Sequence, residues 1–181
     1  MEETLMEKKG ISIKKYILIY GVIFGVTSIL LSFYRYFTGV YTSSNLTHTT
    51  ILLLITICSI MAGIIFFKKN NNSFISLKEA LKIGIGISVI GGLIAILWKI
   101  LLIKVIDPEI IQELEKIQIK QYVEESSDFT DENMNSIIKT IKKFTSPPIM
   151  ILFALIEDLF LGFLISLIGG LIIQKKKDPF Q

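Results

Sequence analysis

An all-α integral membrane protein with four transmembrane helices is the fold class this sequence predicts. Three observations carry it: four long apolar runs, basic residues gathered at alternate ends of those runs, and one polar segment between the third and the fourth. With 51% hydrophobic residues, 19% charged residues and a mean hydropathy of +0.62 over 181 positions, the chain holds more apolar surface than a soluble domain of this size can bury. Lipid must cover the rest.

About 20 helical residues cross a hydrocarbon layer about 30 Å thick. Runs of that order occur at about 16–37, 50–67, 81–106 and 149–173. The first follows Lys8, Lys9, Lys14 and Lys15 as a signal core would. Its apolar stretch exceeds the roughly 7–15 residues of such a core, and no small-x-small cleavage site follows, so it is expected to remain as a span.

Lys68, Lys69, Lys78 and Lys82 lie between the second and third runs, and Lys175, Lys176 and Lys177 follow the fourth. Only Arg35 stands between the first and second. Eleven basic residues against one place both termini and the second loop in the cytoplasm. An even number of spans is then required, and four satisfies it. Tyr34, Tyr36 and Tyr41 fall near the outer interface and Tyr16 and Tyr20 near the inner one, as an aromatic belt would place them. Lysine outnumbers arginine 18 to 1, the usage of an AT-rich bacterial genome, so the expected location is the bacterial inner membrane.

The segment 107–148 is the one that reads as water-soluble, with nine acids against five lysines. Asp107-Pro108 has the form of an N-cap followed by proline, and Ile110, Leu114 and Ile117 recur at helical spacing. Ser126-Ser127-Asp128 breaks that pattern, Thr130 can cap a second helix, and Met134, Ile137, Ile138 and Ile141 form its apolar stripe. The expectation is an extracytoplasmic amphipathic helical hairpin, either a lid over the protein's own bundle or a contact surface for a second copy or a membrane-protein partner. On the opposite side Asn70-Asn71-Asn72 reads as a turn, and Ser76-Leu77-Lys78-Glu79 as a capping box that starts the third helix near Leu77.

Small residues that let helix backbones approach mark contact faces in lipid. Gly84, Ser88, Gly92 and Ala95 form such a stripe in the third span. Ala154, Gly162, Ser166 and Gly170 form one in the fourth with a missing rung at 158, and Gly21, Gly25, Ser28 and Ser32 form one in the first. Asp158 occupies the missing rung, and Lys99 continues the third-span stripe two helical turns beyond Gly92. A charge at mid-membrane costs at least about 2.5 kcal/mol and normally pairs or lines a polar cavity. Counting depth from the span ends brings Lys99 and Asp158 to similar levels and predicts a bridge between them. Glu157 points about 100° away, toward another helix or the bundle interior. Lys99, Glu157 and Asp158 are therefore the candidate intramembrane polar cluster, and Lys104 and Arg35 are expected to anchor the outer interface.

No HExxH, GxSxG, paired-cysteine or phosphate-loop pattern is present, so no catalytic residue, metal or cofactor is assigned and no enzyme is expected. Cys58 lies in an apolar run and reads as a packing residue; His48 lies in a threonine-rich stretch and reads as a solvated loop residue. The net charge of +3 sits at the ends of apolar runs, with no basic face for nucleic acid.

With these residues in view, the chain resembles a family of small bacterial four-span membrane proteins, domain of unknown function 4199. The resemblance rests on Tyr20-Gly21-Val22-Ile23-Phe24-Gly25, on Phe74 to Gly84 entering the third span, on Asp107-Pro108-Glu109, and on Lys175-Lys176-Lys177. It implies the four-span topology and carries no activity. Two roles follow as expectations: a non-enzymatic scaffold or accessory membrane subunit, or a small proton, ion or solute transporter using Lys99, Glu157 and Asp158. Against the second, no span is interrupted by proline, and Gly91-Gly92 and Gly169-Gly170 are the plausible unwinding points.

Overall fold

In the computed structural model, residues 11–41, 46–125 and 131–175 are described. The break expected at Ser126 to Asp128, the cap at Thr130 and the lysines at 8, 9, 176 and 177 lie outside them. Within the described residues the chain is all-α: α1 (Ile13–Phe37), α2 (Leu46–Asn70), α3 (Leu77–Leu101), α4 (Ile110–Glu125), α5 (Asp131–Phe144) and α6 (Pro147–Ile173). Of these, α1, α2, α3 and α6 are long and apolar enough to cross a membrane. This is a multi-pass membrane protein.

Ser76 starts α3 with a full capping box: Glu79 N–H donates to Ser76 Oγ at 3.3 Å, and Ser76 N–H donates to Glu79 Oε2 at 2.8 Å. Ser76→Ala is expected to cost about 1 kcal/mol of stability, read as a lower thermal midpoint of the purified protein. At the other end the third span reaches Ile106, as expected, but its last turn is not α-helical. The α-helix ends at Leu101 and Leu102–Ile106 forms a π-helical turn. The next helix starts at Ile110, so Asp107 ends the π turn and does not stand directly before a helix. Both Gly-Gly pairs lie inside continuous helix, so neither is an unwinding point.

Helix α3 is the hub, packing most extensively on α1 and α6. With α1 it runs parallel: Ile17 lies on Gly86, Ile90 on Gly21, Ile94 on Gly25 and Phe24 on Gly91. With α6 it runs antiparallel in a single register, which pairs Ala80 with Gly170, Gly84 with Ser166, Ser88 with Gly162 and Gly92 with Asp158. Each small residue meets a slightly larger one across the seam, so the backbones close on one another without leaving gaps.

One end of the bundle gathers Lys14, Lys15, Lys68, Lys69, Lys78, Lys82 and Lys175. There Ile75 and Lys175 exchange two backbone hydrogen bonds of 3.0 and 2.9 Å, and Lys68 Nζ donates to the Ile173 carbonyl at 2.7 Å. Asn72 and Ser73 make the sharp turn before α3 with φ of 52° and 64°. At the opposite end α4 and α5 pack together, and the buried Thr145 hydroxyl lies 2.8 Å from the Ile141 carbonyl and 3.2 Å from Glu115 Oε1. Ile110 joins Leu102 and Ile103 in a small core bordered by Tyr36 and Tyr41, and Phe144 packs on Phe153 of α6.

Candidate functional site

The lysine-rich half of the bundle is solid. Ile60, Ile64, Ile83 and Ile87 are 0% exposed and Phe67 is 1% exposed, so large apolar side chains fill the space between the helices there. The other half is hollow. A cavity of about 520 Å³ extends from Arg35, Tyr41 and His48, where α1 ends and α2 begins, down to Gly92 and Asp158.

The cavity exists because the helices present small and polar side chains to one another on this side. Along α1, Ser28, Ser32 and Arg35 continue the stripe that Gly21 and Gly25 begin, with spacings of four and three that keep them on one helical face. Thr56 from α2 turns its hydroxyl back to the Leu52 carbonyl at 2.9 Å. Trp98 Nε1 donates to Ser32 Oγ at 2.9 Å, which ties α3 to α1 beside the cavity.

Asp158 fills the rung between Ala154 and Gly162 on α6. A Cβ on Gly92 would stand 2.6 Å from its Oδ2, so the glycine is what lets this carboxylate lie against α3. Lys99 stands seven residues farther along α3, about 10 Å nearer the α4–α5 end at 1.5 Å per residue. Both side chains line the cavity together with Glu157. Among the described residues these three make no mutual ion pair within 4.0 Å. The expected Lys99–Asp158 bridge is therefore corrected. The small-residue ladder sets the register of α6 on α3, and it places Asp158 level with Gly92, deeper than a count from the span ends suggests.

Glu157 is exposed and borders both the cavity between the helices and a shallow outer groove lined by Phe144, Met150 and Phe153. Two other expectations change. His48 belongs to the first turn of α2 and lines the cavity, with Nδ1 buried and without a hydrogen-bond partner among the described residues. Cys58 is exposed on the outside of the helix bundle and does not pack within it.

Arg35 also lines the cavity. Its Nη2 donates to the Tyr41 carbonyl at 3.0 Å, and the guanidinium lies 5.5 Å from the centre of the Tyr41 ring. Burial pushes the Tyr41 phenol above its ordinary range, opposed by a hydrogen bond with Ser32 and by the Arg35 charge, so it is a neutral wall of the site at physiological pH. No group of three or more His, Cys, Asp or Glu converges as a metal site among the described residues.

A family model described as "Protein of unknown function (DUF4199)" matches residues 19–175, from within α1 to just past the end of α6. The chain belongs to this family. No curated protein and no solved structure matches it. The DUF4199 match includes Lys99, Glu157, Asp158 and both packing stripes, Gly84, Ser88 and Gly92 on α3 and Gly162, Ser166 and Gly170 on α6.

Proposed function

We propose that this chain is a non-enzymatic inner-membrane transporter of small polar solutes or ions, with both termini in the cytoplasm and the cavity facing outward. The observation that carries this reading is the cavity itself. Two cations, two carboxylates and a histidine surround about 520 Å³ inside a four-helix membrane bundle, and charges at that depth are kept in a membrane where they serve a polar pathway. The lysine-rich end is cytoplasmic by the excess of basic residues there. The acidic 107–148 hairpin lies outside and acts as a lid, since the apolar stripes of α4 and α5 are half-buried in packed helices and Phe144 reaches the groove beside Glu157.

The test is flux. Purified protein in liposomes with an internal pH-sensitive dye is expected to move protons or ions, and Glu157→Gln and Asp158→Asn are expected to abolish that movement while leaving thermal stability near wild type. Absence of flux from the wild-type protein under gradients of either sign would sink this reading.

A scaffold or accessory role is the second reading, with Tyr122 and Val123 exposed on α4 as the surface that favours contact with a second copy or another membrane protein. Flux-negative protein that co-purifies as a fixed oligomer, and loses it on Tyr122→Ser with Val123→Ser, would establish that role instead.

A further inference from the structure

The charges around the cavity are sorted along its length. Asp158 lies at the closed end, level with Gly92, and Glu157 precedes it by one residue. Lys99 stands about 10 Å farther out by helical rise. Arg35 lies farther out again, because Ser32 and Phe33 already reach the level of Trp98. Asp158 thus lies at the inner end and the two cations farther out, with Glu157 between them, and the formal sum over the four is zero.

A wall of this kind discriminates by charge distribution. A free cation gains from the carboxylates but loses to the lysine and arginine, and a free anion meets the reverse. A neutral molecule carrying separated opposite charges can satisfy both ends at once. The walls between the charges are apolar, with Ile29, Ala95 and Ile96 among them, and suit a short hydrocarbon spacer. Because Lys99, Glu157 and Asp158 make no mutual ion pair within 4.0 Å among the described residues, binding such a molecule need not first break one.

We propose that the cavity is a binding site for a zwitterion, whose ammonium group sits at Asp158 and Glu157 and whose carboxylate or phosphate sits at Lys99 and Arg35. The site rests on the outward-facing cavity of the preceding section but does not require transport. Two sources share this chemistry. A free ω-amino acid, with its charged groups at the two ends of a short chain, would enter from the Arg35–Tyr41–His48 end. An aminophospholipid headgroup would enter from the membrane side, where Lys99, Ala154 and Glu157 border both the cavity and the outer groove.

Trp98 is the single tryptophan, and it lines the cavity beside Lys99, so its fluorescence reports occupancy directly. The full chain in phosphatidylglycerol nanodiscs is titrated with 6-aminohexanoate, n-hexylamine and hexanoate. The zwitterion is expected to bind at least about tenfold more tightly than either singly charged analogue, and Lys99→Met and Asp158→Asn are each expected to weaken it at least about tenfold. Circular dichroism melts of the variants separate loss of binding from loss of fold, and Lys99→Arg, which keeps the charge, is expected to retain binding.

Repeating the titration in phosphatidylethanolamine nanodiscs separates the sources. Weaker, competitive binding there assigns the site to the headgroup, and unchanged binding assigns it to a soluble zwitterion. Equal binding of hexylamine or hexanoate, no response to either charge substitution in folded protein, or no zwitterion binding in phosphatidylglycerol would overturn the proposal. Flux without zwitterion selectivity would leave the transport reading standing while this one falls. Zwitterion binding without flux would do the opposite.

Discussion

Gly84→Ala is expected to lower the thermal midpoint of the purified protein by roughly 3–10 °C, and adding Ser166→Gly is expected to recover most of that loss. The physical basis is the α3–α6 seam, where a Cβ on Gly84 would overlap the Ser166 side chain. Two helices in lipid gain little from apolar burial against each other, so backbone proximity provides most of their attraction. Forcing them apart costs on the order of 1–3 kcal/mol, as overpacking does elsewhere, and a protein of this size melts about 2–4 °C lower per kcal/mol. Ser166→Gly moves the small residue to the other side of the same contact and reopens the space. Leu97→Ala is the control, because Leu97 sits on the same helix and is 68% exposed to the lipid side; it is expected to change stability by no more than about 0.5 kcal/mol. A double variant that melts no higher than Gly84→Ala alone would mean that Gly84 does not face Ser166.

The second large effect concerns orientation and is close to all-or-none. In a Cys58→Ser background, Gln118→Cys on α4 is expected to react with a membrane-impermeant maleimide in intact cells, and Lys69→Cys at the end of α2 to react only after permeabilisation. Both positions are exposed and lie at opposite ends of the bundle. In the otherwise native chain Cys58 is expected to stay unlabelled in both conditions, since it lies mid-helix on the outer face of α2, where an impermeant maleimide in water does not reach it. The reverse labelling pattern would turn the molecule over and send the cavity to the cytoplasm.

The four long helices were readable because each is a nearly uninterrupted apolar run, and because the Ser76–Glu79 box states where α3 begins. The α3–α6 seam was readable from the four-residue spacing of Gly84, Ser88 and Gly92 against Gly162, Ser166 and Gly170. Where the reading failed, the cause was tertiary. Depth counted from the ends of hydrophobic runs put Lys99 and Asp158 level, whereas backbone contact at Gly92 fixes Asp158 deeper. Arg35 and His48 looked like interface and loop residues because each lies within a few residues of a span end. Their joining the cavity depends on how α1 meets α2, which periodicity within one helix does not encode. A polar extension of the first-span stripe through Ser28, Ser32 and Arg35 was the one signal that could have revealed this face. The π turn at Leu102–Ile106 has no residue-level marker, since its sequence is as apolar as the α-helix before it.

The paired backbone hydrogen bonds between Ile75 and Lys175, with the Lys68 contact to Ile173, have a mechanical consequence. They pin the α2–α3 turn to the last turn of α6, so the lysine-rich end of the bundle is cross-tied through backbone atoms as well as by helix packing. A rearrangement that keeps these ties is expected to displace the α4–α5 end, where Phe144 rests on Phe153, more than the lysine-rich end. Opening at the lysine-rich end would need these ties to break first.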